Sequence, residues 1–552
     1  MLMRRLLCAV PLCLLAAAVA QISPSIYPPK ELVDQIRAEG IRADMRFLAD
    51  DLLEGRGTGT RGYMLAAKYL ATQFEAMGLE PAGENNSYFQ KVRFRRVERL
   101  GDQCAVSITR AGKEQALVFE KDFVADGDSL RTDTSVAAPV VFVGYGISAP
   151  EFHHDDFAGV DVKGKIVAEL WGAPDSFPSA PRAYYSSGVV RARMAAAHGA
   201  VGGLLIFAGP YAERTPFLRL VRFFREPNMR WLNSKGEPND AVPEMRALAV
   251  LNQTAAAQLF EGAPESLSQA LDNAAHGKSR SFPLPISAAI RQGAKFEEVE
   301  SPNVVGRLPG SDSTLKNEYV VFSAHADHLG IGESVKGETI YHGAVDNASG
   351  TAAVLGIARA LKSLPTAPRR SILFLIVTGE EEGLLGSDEF AHNPTVPIDR
   401  IAADINLDGI SLFYDFRDLV ALGAEHSSLH EEVEDVAAHM GLEVSPDPLP
   451  EEVFFIRSDQ YSFVKQGVPS VAISEGFKTV NPKLDGKEIA LKWEATMYHT
   501  PQDDMNQPLN FVAAVKCTRA NLAVGYEVAQ EERRPRWNDG DFFLAKFGTK
   551  KP

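Results

Sequence analysis

Cysteine is scarce in this chain, with four residues in 552. Cys8 and Cys13 lie in an N-terminal stretch read below as a leader, so a mature chain keeps Cys104 and Cys517. That pair allows one disulfide or two buried thiols, and excludes a disulfide-built scaffold. Apolar runs long enough to cross a bilayer are missing after residue 20, because a spanning helix needs about 20 consecutive apolar residues. Positive charge is in deficit: 57 Lys and Arg face 72 Asp and Glu, a net charge of −15, or −17 once Arg4 and Arg5 are removed. An acidic surface argues against nucleic acid as a partner. Internal repeats and low-complexity tracts are also lacking.

What is present is a composition that is 45% hydrophobic, enough for a large core divided among two to four domains. Arg4 and Arg5 precede an apolar run from Leu6 to Val19, and Ala18-Val19-Ala20 is a small-x-small signal ahead of Gln21. This is the pattern of a signal peptide cleaved near Ala20, so a secreted or periplasmic protein with no membrane span in the mature chain is expected. Residues 30–95 carry helical spacing at Leu32, Ile36, Ile41 and Phe47, a Gly-rich interruption at Gly55-Arg56-Gly57-Thr58-Gly59, and an amphipathic segment from Tyr63 to Met77 capped by Gly78. A strand-like texture follows to about residue 124. From about 126 to 295 short buried strands (Val140 to Val143, Ile166 to Ala168, Gly203 to Phe207) and a helix (Val190 to Ala197) read as a self-contained module. After 318, strands and helices alternate, which implies a layered α/β fold with a mostly parallel sheet. In such sheets the loops beyond the strand carboxyl ends carry the chemistry.

Five metal-type groups fall at those ends or in loops: His325, Asp346, the pair Glu380 and Glu381, Asp408, and His499. Any one alone is more often a structural hydrogen-bonded group. Together they reverse that reading, because clustered carboxylates raise one another's pKa unless cations neutralise them. Two imidazoles and three carboxylates, one of them shared, suit two Zn²⁺ ions with open positions. Asp327, two residues from His325, is placed to hold the other imidazole nitrogen. One of Glu380 and Glu381 ligates, and the other is free as a general base.

The motifs Ser-Ala-His325-Ala-Asp327-His328, Gly343-Ala-Val-Asp346-Asn-Ala-Ser-Gly350, Glu380-Glu381-Glu382-Gly383-Leu384-Leu385-Gly386-Ser387, Asn406-Leu407-Asp408 and Tyr498-His499-Thr500-Pro501 occur in an order that resembles the M28 family of dizinc metallopeptidases. The resemblance implies a three-layer α/β/α zinc-peptidase fold with a mixed, mostly parallel sheet. Its organisation would be a signal peptide (1–20), an N-terminal part of the catalytic domain (21–125), an inserted β-rich protease-associated (PA) domain (126–295) and the catalytic domain (296–552). It also implies Asp346 bridging two zincs, His325 with Asp408 on one, Glu381 with His499 on the other, Glu380 as the base, Asp327 orienting, and a cis peptide after Asp346. Tyr498 matches a position whose hydroxyl stabilises the oxyanion in some members. His328 stays outside the ligand set. His342 and Gln460 depart from the residues many relatives carry, near substrate and not at metal. The implied activity is a secreted aminopeptidase acting on peptides with a free N-terminus. A carboxypeptidase or dipeptidase is the alternative and would need arginines such as Arg457 or those at 218–230. A glutaminyl cyclase or an inactive binding protein fits the ligand set less well. The loop Gly330 to His342 is expected to form a cleft wall.

Overall fold

A computed structural model describes residues 26–548, so the leader reading, with Cys8 and Cys13, lies outside the described residues. The strand Tyr319–His325 is the centre of the main sheet. It pairs in parallel with Ser371–Val377 on one side and Ile401–Asn406 on the other, and Ile401–Asn406 pairs in parallel with Ser470–Glu475. Antiparallel neighbours complete the edges: residues 304–308 lie against Ser371–Val377, and Asp418–Leu422 against Ser470–Glu475.

Both faces of these strands are buried, and the period of two decides which side chain serves which layer. Val320, Phe322, Ile372, Phe374 and Ile376 share a core with Met45, Leu70, Leu355 and Val524, contributed by the helices Ala38–Leu48, Arg61–Ala76, Gly350–Lys362 and Phe511–Gln530. Val321, Leu373, Leu375 and Val377 face the other way, onto Phe390 and Phe463 of Leu385–His392 and Gln460–Val464. Each such large apolar side chain stabilises the fold by about 1.5–3 kcal/mol relative to exposure. The result is the expected three-layer α/β/α architecture with a mixed, mostly parallel sheet.

A second sheet has its own parallel core of four strands, Asp133–Val143, Ile166–Leu170, Gly202–Phe207 and Ala247–Asn252. One strand, Ser281–Leu308, runs through both sheets. Its start pairs with Asp133–Val143 and Ala105–Arg110, its middle with Phe89–Arg99, and its end with Ser371–Val377. The division near 295 thus falls inside continuous strand, and residues 105–124 also pair into the second sheet. Alternation of apolar residues is the same on either side of such a point, so it carries no mark of the change of sheet.

Cys104 and Cys517 are buried free thiols, which sets the disulfide alternative aside. Phe47, in helical step with Leu32, Ile36 and Ile41, is 40% exposed and stacks on Tyr69 instead of entering the core.

Candidate metal centre

Three parallel neighbours deliver their ligands at one edge. Tyr319–His325 ends on His325, Ser371–Val377 runs on through Thr378-Gly379 into Glu380 and Glu381, and Ile401–Asn406 is followed by Leu407-Asp408. Asp346 arrives from a buried turn ahead of the helix Gly350–Lys362. Asn347 fixes that turn: its Oδ1 accepts from the N–H groups of Gly350 and Gly409, both at 2.9 Å, and its Nδ2 donates to Leu407 O at 2.9 Å. The helix begins so close to the neighbouring strand that a Cβ on Gly350 would sit 2.0 Å from Leu407 O. The Asp346-Asn347 peptide is cis, as the resemblance implied. Asp503 holds the same turn through its carboxylate, which accepts from Val345 N and Asp346 N at 3.0 Å.

The two oxygens of Asp346 face different imidazoles. Oδ1 is 3.3 Å from His325 Nε2, which is also 3.0 Å from Asp408 Oδ1 and 3.9 Å from Glu380 Oε2. Oδ2 is 3.2 Å from His499 Nε2, which is 3.1 Å from Glu381 Oε2. His325, Asp346 and Glu381 can converge on one ion, as can His325, Glu380 and Asp408. His499 Nε2 is buried and hydrogen-bonds to neither carboxylate despite those distances. An orphaned imidazole nitrogen aimed between carboxylates, with a nitrogen and oxygen donor set, fits Zn²⁺. His499 sits at φ 55°, a left-handed conformation that is unusual for a residue with a Cβ and typical of functional turns.

The charge pattern follows from packing carboxylates and imidazoles away from water. Burial pushes Asp346 upward, but the imidazoles of His325, His499 and His328 outweigh it and hold the carboxyl well below its usual range. Burial and Asp346 oppose the ionisation of Glu381, yet His328 and His499 bring it down to about 2. Glu380 goes the other way. Burial raises it well above the usual range; His325 opposes this, and the neighbouring carboxylates Asp408, Glu381 and Asp459 add to the rise. Burial would lower His499, but Glu381 and Asp346 lift it to about 10.

Asp327 does a different job from the one expected. The nearest partner of His325 Nδ1 is the Asp327 backbone carbonyl at 3.2 Å, with the carboxylate at 3.9 Å. That carboxylate instead accepts from Glu380 N and Glu381 N, at 3.2 and 3.3 Å, and from Thr58 Oγ1 at 3.0 Å. It therefore holds the loop that carries Glu380 and Glu381. His328 Nδ1 lies 2.5 Å from Glu381 Oε1, so this ring orients the carboxylate.

A cavity of about 350 Å³ opens from Asp346, Glu380 and Asp408. Its walls include Ile410, Phe413, Leu422, Phe454, Leu491 and Trp493, with Tyr498 beside the metal-type ligands. The Tyr498 ring stacks on His499 at 3.8 Å. Gln460 lines the cavity too, held between Asn406 and Phe455 O. His342 does not: it is buried between Asp51 and Pro501 O. The hairpin Gly330–Val335 and Glu338–Tyr341, expected as a cleft wall, packs on Asp51–Arg56 and is not among the cavity's lining residues. Of the arginines considered for a substrate carboxylate, Arg457 lines the cavity, whereas Arg225 pairs with Glu120 and Arg230 with Asp240. Sequence reasoning missed Arg56, Thr58, Asn347, Asp503 and the wall from Gly486–Thr496. The Gly-rich segment around Arg56 was the one local signal.

Residues 303–524 match the model of Peptidase family M28. The mouse protein "Aminopeptidase NAALADL1" is 36% identical over 138 residues, 24% of this chain and 17% of that protein, so this chain spans a small part of the relative's length. A "probable leucine aminopeptidase 2" of Aspergillus oryzae is 25% identical over 231 residues, 40% of this chain and 43% of that one. The solved structure "Aminopeptidase from Aneurinibacillus sp. strain AM-1" aligns with 92% of this chain and 96% of its own, at a TM-score of 0.52 and 19% identity, a likeness of fold. With the candidate ligand motifs and the family match falling on the same segment, residues 303–524 form a peptidase domain of family M28.

Proposed function

We propose that this protein is a co-catalytic dizinc aminopeptidase, exported after cleavage near Ala20, with the second sheet as its inserted PA domain. The observation that carries the reading is Asp346, whose two oxygens face two different imidazoles, each of which also faces a second carboxylate. His325 and Asp408 would hold one zinc and Glu381 and His499 the other, with Asp346 available to both. Bound zinc supplies Lewis-acid polarisation of a carbonyl oxygen.

The chain's own groups do the rest. Glu380, buried beside Asp408 and raised in pKa, takes a proton from the attacking water at Oε2 and returns it to the leaving amine nitrogen. Asp327 keeps Glu380 and Glu381 in register through their N–H groups. Tyr498, in the cavity wall, presents its hydroxyl to the developing oxyanion. The apolar walls of the cavity receive the N-terminal side chain. Among the described cavity residues, Arg457 is the guanidinium a carboxypeptidase could use. It lies over Phe454 at 5.2 Å and 3.7 Å from Glu452, already partnered.

The test is Glu380→Gln with zinc content measured alongside turnover of aminoacyl, N-blocked and C-terminal Glu substrates. Zinc content is retained and turnover of the aminoacyl substrate falls by about 10²–10⁴-fold. Retained turnover removes Glu380 from its role, and preference for the N-blocked C-terminal Glu substrate replaces the aminopeptidase reading with the carboxypeptidase one.

A further inference from the structure

The segment Gly55-Arg56-Gly57-Thr58-Gly59 has no part in the mechanism above, yet two of its side chains end under the metal centre. Arg56 is 1% exposed. Its Nε donates to Ala326 O at 2.8 Å, its Nη1 to His342 O at 2.7 Å and to Leu48 O, and its Nη2 to Gly343 O at 2.9 Å. Its own carbonyl accepts from His328 N at 3.2 Å. None of the four guanidinium acceptors is a carboxylate.

Ala326 directly follows His325, and Gly343 lies three residues before Asp346. A single planar group therefore ties together the backbone beside His325 and Asp346, through carbonyls 270 and 287 residues away in sequence. Thr58 reaches the other half of the centre: its Oγ1 donates to Asp327 Oδ2 at 3.0 Å, and Asp327 holds Glu380 N and Glu381 N. Access depends on the glycines. Gly55 has φ +68°, and a Cβ there would sit 2.4 Å from Gly330 O and 2.5 Å from Tyr341 O. Arg56 itself adopts φ 51°, a conformation that persists in a residue with a Cβ where the surroundings fix it. Asp503, Asp327, Asp346 and Glu381 all act on its charge, so the guanidinium also offsets carboxylates gathered without metal.

We propose that Arg56 is a positioning residue for the metal centre: its fork sets the separation of His325 and Asp346 before zinc arrives, and Thr58 sets the Glu380-Glu381 loop through Asp327. The role needs the fork as well as the charge, which a lysine ammonium cannot reproduce. The inference rests on the dizinc reading above.

The experiment uses the full chain stripped of metal. Zinc affinity is measured by competition with a chromogenic chelator, and the visible spectrum is recorded with saturating Co²⁺, for wild type, Arg56→Lys and Thr58→Val. Arg56→Lys binds zinc about 10–100-fold more weakly and Thr58→Val about tenfold more weakly, in the range found when partners that orient metal ligands are removed. The cobalt bands of Arg56→Lys shift even at saturation, because the ligands no longer stand at the same separation. A folded Arg56→Lys with wild-type affinity and wild-type bands overturns the proposal. If that variant does not fold, Thr58→Val decides: weakened zinc binding supports the proposal and unchanged binding overturns it. A wild-type chain that takes up no zinc overturns the dizinc reading and this inference with it, whereas wild-type uptake with unaltered variants overturns this inference alone.

Discussion

The molecule contains two parallel four-stranded cores built on the same plan, and one of them carries the ligand cluster. In the main sheet the strands ending at His325, Val377 and Asn406 lead into His325, Glu380 with Glu381, and Asp408. In the second sheet the corresponding ends run into Gly144-Tyr145-Gly146, Trp171-Gly172, Ala208-Gly209, and Asn252, which caps a helix by accepting from Ala255 N. Buried charge exists in both. Glu169 of the second sheet lies 3.8 Å from Arg191, whose Nη1 also donates to Leu170 O, so that charge is neutralised within the protein. The carboxylates around Asp346 have imidazoles for their nearest partners, and imidazoles can exchange a proton for a cation. A parallel sheet thus supplies a place for a site, and the residues just beyond its carboxyl ends decide whether one is built.

The largest effect that sharpens this contrast is expected at the shared carboxylate. On the dizinc reading proposed above, Asp346→Ala removes a ligand from both ions, so zinc stoichiometry falls below one per chain and turnover drops by more than about 10³-fold, read by metal analysis beside a rate assay. The matching change in the second sheet, Glu169→Gln, leaves Arg191 buried without its charge partner. It costs about 3 kcal/mol in denaturant unfolding and leaves zinc affinity and kcat at wild-type values. A large loss of activity in Glu169→Gln would break the contrast.

A smaller effect is predicted at Asp327. Asp327→Asn keeps the shape but weakens acceptance from Glu380 N, Glu381 N and Thr58, and zinc affinity falls by about 10–100-fold in chelator competition. The smallest lies away from either strand end, at Glu527 in the helix Phe511–Gln530, which burial, Asp435, Glu432 and Glu531 push up to about 9. An unfolded Glu titrates near about 4.3, so its contribution to stability is full below that pH and is lost as pH rises toward about 9. Glu527→Gln therefore raises the unfolding temperature by roughly 1–3 °C at pH 8 and by less at pH 5, in thermal scans of both proteins.

Among the candidate ligands, His325, Glu380, Glu381 and Asp408 were legible because each sits where an apolar strand stops, a local pattern that needs no knowledge of the fold. The layer architecture was legible for the same reason, since Ile372 to Val377 is apolar on both faces. Other features depend on long-range placement. Arg56 reaches carbonyls on the far side of the chain, so nothing near residue 56 beyond its glycines marks its role. Asp327 stands at the right spacing to hold His325, yet its carboxylate turns to the N–H groups of Glu380 and Glu381, a choice set by where the neighbouring strand ends. The passage of Ser281–Leu308 from one sheet to the other leaves the apolar alternation unbroken, and Phe47 keeps helical step while stacking on Tyr69 outside the core.

The central claim is that Asp346 stands between two ions, and anomalous diffraction at the zinc edge tests it most directly. The account predicts two peaks about 3.5–4 Å apart, one beside His325 and Asp408, the other beside Glu381 and His499, with one oxygen of Asp346 turned to each. A single peak in zinc-saturated crystals, or two peaks that Asp346 does not join, would contradict it.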